Sequence, residues 1–205
     1  MLGPRPRRGM LPFAAMTLVL LPASIATAAT PTGSVVGTTV ARGLAPVTAG
    51  TQIATKTSGC AKAGAQPSRV SNRAARAAML CAINAARAAH GLGALSGESH
   101  LRKAAHGHAR DMVRHRYFAH QRAGGPSFGT RIKRAGYRGR AAGEAIAWGC
   151  GSSATVASTV RAWLNSPPHR AILLSGAYRK AGIGIAGHAP TSCGPGATWV
   201  LDAGT

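Results

Sequence analysis

The chain has 205 residues, 45% hydrophobic but only 14% charged, with 25 Lys and Arg against 4 Asp and Glu and a formal net charge of +21. Its acids, Glu98, Asp111, Glu144 and Asp202, are too few and too scattered for a two-metal polymerase-type site or an EF-hand, and a glycosidase-type acid pair could arise only if distant acids meet in space. Aromatics at 4% disfavour a stacking platform for single-stranded nucleic acid.

The opening segment has a basic n-region (Arg5, Arg7, Arg8), an apolar run of 12 residues from Met10 to Leu21, and the small-residue sequence Ala26-Thr27-Ala28. That order reads as a secretory signal peptide over 1–28, cleaved after Ala28. The run is too short to cross a hydrocarbon core of about 30 Å, so no transmembrane segment is expected after cleavage and an extracellular or periplasmic location follows. Residues 29–70, rich in Thr, Gly, Ala, Ser and Pro with no sustained apolar period, read as a flexible linker.

A single domain is expected over 71–205. Ala75, Met79, Ala82, Ile83 and Ala86 recur at three- and four-residue steps, which predicts a helix over 71–89 capped by Ser71 or Asn72 and stopped at Gly91. A second helix is expected over 99–116, with Leu101, Ala105, His108 and Met112 on one face, and a short third over 130–135, ended by Gly136. Residues 144–148 are β-like. A helix over 155–164 turns Val156, Val160, Trp163 and Leu164 inward and breaks at Pro167-Pro168, with further helical turns over 169–174. Residues 183–186 and 198–201 read as strands. Early helices and late short strands favour a mixed α/β sandwich.

Four cysteines in an exported chain point to two disulfides, with three pairings open. Cys60–Cys81 and Cys150–Cys193 are favoured, the first pinning the linker's end to the first helix and the second tying two late loops. No CxxC spacing supports a zinc finger or thioredoxin site. Among the histidines, His106 and His108 fall on different helical faces, His108 toward the core; His90, His100, His115 and His188 read as surface residues. Trp148 and Trp163 read as packing. Ser166 lacks an adjacent Asp-His arrangement, and Gly149-Cys150-Gly151 lacks the Lys-Ser/Thr of a P-loop.

Four segments occur in a familiar order: Tyr117-Phe118-Ala119-His120, Gly143-Glu144-Ala145-Ile146-Ala147-Trp148, Trp163 through Pro167-Pro168-His169-Arg170, and Gly182-Ile183-Gly184-Ile185-Ala186. With Leu80 to Arg87 and Gly91-Leu92, they make the chain resemble the CAP superfamily of cysteine-rich secretory proteins, antigen 5 and pathogenesis-related 1, also called the SCP domain, in its bacterial secreted branch. The resemblance covers residues 72–204. It implies an α+β fold, a three-layer α-β-α sandwich with a small antiparallel sheet between helices. It also implies a cleft holding two histidines and two acids, with His120, Glu144 and His169 matching three of them. The second acid has no evident counterpart: Ser166 stands where one is found in eukaryotic members. Ala145 replaces the family's Asn, and the terminal Gln-Asp-Phe-Gly pattern reads Leu201-Asp202-Ala203-Gly204.

His120, Glu144 and His169 could act together only through folding. Two imidazoles and a carboxylate suit a divalent metal with open positions, acid/base work, or a polar floor for a ligand. With no second acid, zinc would be held only loosely. The expected role is therefore extracellular or cell-envelope binding by a monomer, with a metal-assisted, peptidase-like hydrolase using His120, Glu144 and His169 as the alternative. Between Arg110 and Arg140 there are nine Lys or Arg and one acid, a surface suited to an anionic envelope polymer or lipid headgroups. Twenty of the 25 basic residues are Arg, so composition alone is a competing explanation for that run. Export disfavours nucleic acid as the partner.

Overall fold

A computed structural model describes residues 59–205; the signal segment 1–28 and linker residues 29–58 lie outside the described residues. In chain order the elements are α1 (Asn72–Ala88), β1 (Ser96–Gly97), α2 (Ser99–Arg114), α3 (Phe128–Ala135), β2 (Ala142–Cys150), α4 (Val156–Asn165), α5 (Pro167–Leu173), β3 (Lys180–Ala186) and β4 (Gly196–Gly204). Short polar side chains start the helices. Ser71, Ser127 and Thr155 accept from the amides of Ala74, Thr130 and Ser158, and the Glu98 carboxylate caps α2 through the Leu101 amide. Each cap satisfies a backbone donor that the helix itself cannot. Gly136, at φ 106°, closes α3 in the left-handed region that a Cβ disfavours. Pro167 and Pro168 do break α4, but they also open α5, where a missing amide costs nothing.

The sheet order is β1-β3-β4-β2. β3, β4 and β2 are antiparallel, but β1 runs parallel to β3, so the sheet is mixed rather than wholly antiparallel as expected. That two-residue edge is fixed by the Ser96 amide to the Arg179 carbonyl and the Glu98 amide to the Ala181 carbonyl.

Alternation along the strands makes the three layers. Ala197, Trp199, Leu201 and Ala203 of β4 pack with α1, α4 and α5. Val200 turns to the opposite face, against Ala105, Ala109 and Met112 of α2. Leu101 and Ala104 continue α2's apolar stripe onto Ile132 of α3. The buried tryptophans satisfy their indoles on backbone carbonyls, Trp163 on Ile146 and Trp199 on Ala154, both at 3.0 Å. Trp148 is the exception to the packing expectation and is 42% exposed.

Two glycines set how close α2 lies to the sheet. A Cβ at Gly182 would overlap the backbone at Leu101 and Arg102, and one at Gly184 the backbone at Ala105 and His106. Arg87 is fully buried and donates to the carbonyls of Gly93, Leu173 and Ser175 at 2.8–2.9 Å, joining the end of α1 to the turn before β3. Cys60 pairs with Cys81 and Cys150 with Cys193, at Cα–Cα separations of 5.8 and 6.3 Å.

Candidate functional site

The site begins in strand register. Glu144 of β2 stands opposite Asp202 of β4, which stands opposite Gly182 of β3. Paired residues share a face, so both carboxyls project from the side of the sheet that α2 and α3 cover. Asp202 is 1% exposed and the Glu144 side chain 2%.

Two neighbouring segments supply partners. The left-handed residue Arg116 (φ 53°) ends α2 and turns the chain into the loop that carries His120. That loop is pinned by Tyr117, whose hydroxyl donates to Asp111 at 2.5 Å, and by His108, whose Nε2 donates to the Ala119 carbonyl at 3.0 Å. His120 then donates Nδ1–H to Glu144 Oε1 at 2.8 Å. From the first turn of α3, Arg131 donates Nη2–H to Glu144 Oε2, while its Nη1 holds the His120 carbonyl at 2.7 Å. Arg131 therefore fixes both members of the His120–Glu144 pair.

Charge is distributed unevenly. Burial raises the Asp202 carboxyl well above the usual carboxylate range; the charge of Glu144 and a hydrogen bond to it raise it further, against the pull of Arg131. Among the described residues the Asp202 Oδ1 has no hydrogen-bond partner. His108 Nε2 lies 4.0 Å from Glu144 Oε1. Burial pushes this imidazole below its ordinary value, against the upward pull of Glu144. His169 is lowered by burial and then by the neighbouring charge of His120.

The structure thus joins His120 to Glu144, whereas His169, on α5, makes no hydrogen bond to either among the described residues. Sequence reasoning missed Arg131, read only as part of a basic run, and Asp202. The signal for Asp202 was the family's terminal pattern combined with the period of two along β4.

The donor set fits a divalent metal poorly. Glu144 already has a guanidinium on one oxygen and an imidazole N–H on the other, and cation binding would place like charge beside Arg131. No group of three or more His, Cys, Asp or Glu suited to a metal occurs among the described residues. What remains accessible is the His120 imidazole, 56% exposed. With Nδ1 committed to Glu144, Nε2 is the ring nitrogen left for a ligand. Neither cysteine nucleophiles nor serines bonded to His120 accompany it among the described residues.

The model of the cysteine-rich secretory protein family, CAP, matches residues 80–202. Over 102 residues the chain is 32% identical to the uncharacterized membrane protein YlbC of Bacillus subtilis, covering 50% of this chain and 29% of that relative's length. Among solved structures, an extracellular protein containing a SCP domain from Bacillus anthracis aligns over 66% of this chain and 44% of its own, at 22% identity and TM-score 0.54. An outer surface protein from Borrelia burgdorferi aligns over 66% of this chain and 96% of its own, at 22% identity and TM-score 0.56. These structural likenesses are likenesses of fold.

Proposed function

The chain belongs to the CAP family of cysteine-rich secretory proteins, and from that footing we propose that it works outside the cytoplasm as a non-catalytic binding module. His120 presents its free Nε2 to a ligand, over a charged floor of Glu144 and Arg131. Export is supported by the signal-like sequence over 1–28. The extracellular and outer-surface neighbours point the same way. No helix among the described residues is long and apolar enough to cross a membrane.

The observation that carries the reading is the closed state of Glu144, both of whose oxygens are engaged by cationic or N–H donors. A carboxylate that itself acts as base or metal ligand needs an oxygen free for water or metal. Here the group orients His120 and holds the loop. The metal-assisted hydrolase is disfavoured for the same reason.

The test uses isolated bacterial cell envelopes and the exported domain. Co-sedimentation without release of soluble peptide or sugar fragments is expected, and it should weaken in His120→Ala. Fragment release that disappears in Glu144→Gln or His120→Ala would overturn the proposal in favour of an enzyme.

A further inference from the structure

A second surface lies on the other flank of α2 from the Glu144 cluster. Arg102, His106, Arg110 and Arg114 occur at four-residue steps along that helix. Four residues rise about 6 Å and overshoot a turn by about 40°, so the four form one stripe about 18 Å long that winds gradually round the helix. His106 and His108, two residues apart, point to roughly opposite sides of α2. The stripe and the cluster are therefore separate.

The stripe is not a flat face. Two adjoining depressions, about 540 and 390 Å³, share His106 and Arg110. Lys103 lines the first and His188 the second, and neither depression is lined by an acid. The His106 ring is fixed by Nδ1 donating to the Ile185 carbonyl at 3.0 Å, on the edge of β3 beyond β1. Arg76 of α1 adds charge nearby: burial and then Arg102 lower its pKa.

Among the described residues no acid forms an ion pair with this stripe. All four acids are engaged elsewhere: Glu98 with His100, Asp111 with Tyr117, His115 and Arg122, Glu144 with His120 and Arg131, and Asp202 buried beside Glu144. Like charges four apart on a helix destabilise it slightly, so the stripe works against the fold.

We propose that this grooved stripe binds an extended phosphate-bearing polyanion, lying along α2 from Arg102 to Arg114. Arginine dominates the stripe, and its planar fork matches phosphate oxygens in pairs. A row of guanidinium groups winding along a helix past two shallow depressions suits a chain better than a planar lipid surface. The proposal does not depend on the role of the Glu144 cluster, and its test leaves that cluster untouched.

The test measures fluorescence anisotropy of labelled inorganic polyphosphate against the full exported domain. Binding should weaken steeply between 50 and 200 mM salt, as counterion release requires, values chosen from general polyelectrolyte behaviour of roughly that range. The variant Arg102→Gln/Arg110→Gln/Arg114→Gln should lose roughly 10- to 100-fold and show a shallower salt slope. A control with the same charge loss off the stripe, Lys133→Gln/Arg134→Gln/Arg138→Gln, should change by less than about threefold. Equal losses in the two triple variants would reduce the effect to net charge and overturn the assignment. So would tighter binding to phosphatidylglycerol vesicles than to polyphosphate.

Discussion

Asp202 stands directly across the β2–β4 ladder from Glu144, and burial and that neighbour's charge both push its carboxyl above the usual carboxylate range. Two buried carboxyls on one face cannot both ionise cheaply. Arg131 and His120 satisfy Glu144.

Asp202→Asn tests that arrangement. An acid whose folded pKa lies above its unfolded value of about 3.9 loses its proton first in the unfolded chain. Its contribution to stability is therefore whole below that value and falls as pH rises toward the folded one. An amide keeps the donor and cannot ionise. The variant should be more stable than wild type at pH 7, with the gain vanishing near pH 4, as read by urea unfolding. Equal destabilisation at both pH values would contradict a raised Asp202 pKa.

Removing Arg131 leaves a buried carboxylate short of its main partner. The Arg131 side chain is only 12% exposed, so the pair belongs to the interior class, where losing one member costs about 3–5 kcal/mol. Arg131→Gln should approach that loss, and adding Glu144→Gln should restore a large part of it. A double variant no more stable than the single would show that Arg131 acts by packing alone.

His108 sets an acid limb. Its folded pKa is depressed, first by burial, so below about pH 6.5 the unfolded chain takes up a proton that the folded chain refuses. Stability should fall as pH drops from 6.5 to 5. In His108→Gln, where the amide can still reach the Ala119 carbonyl, the slope over that window should be shallower. An unchanged slope would assign the acid limb to other groups.

The helices were legible in the sequence because caps and three-to-four spacing act locally. Ser71, Gly136 and the Pro167-Pro168 break all do what their chemistry dictates. The strands were only partly legible. β3 begins at Lys180 and β4 at Gly196, each earlier than its apolar run, because Gly182, Gly196 and Gly204 weaken the local strand signal. Gly182 is there for α2, whose backbone presses on it, a contact about eighty residues away in sequence. The site divided in the same way. His120 and Glu144 were found by motif, whereas Arg131 was hidden in a basic run and Asp202 could be placed only through the register of two strands distant in sequence. Read as a surface, the run from Arg110 to Arg140 is not continuous, since Arg131 turns inward.

Gly184→Ala tests the helix–sheet contact. Its Cβ would meet the α2 backbone at Ala105 and His106, which cannot rotate away as a side chain can. A loss of at least 1–3 kcal/mol, about the cost of overpacking, is expected in chemical denaturation. Gly187→Ala, with nothing within 4 Å of the added carbon, should stay within about 0.5 kcal/mol of wild type. Similar effects at the two positions would remove the close-approach explanation.

The central claim is that Glu144 is closed by Arg131 and His120 and serves as a binding floor. Calorimetric titration of the exported domain with zinc tests it most directly. The account predicts no tight stoichiometric uptake by wild type, and stronger zinc binding in Arg131→Ala, where one carboxylate oxygen is released beside His120. One equivalent bound tightly by wild type, and lost in both His120→Ala and His169→Ala, would contradict it.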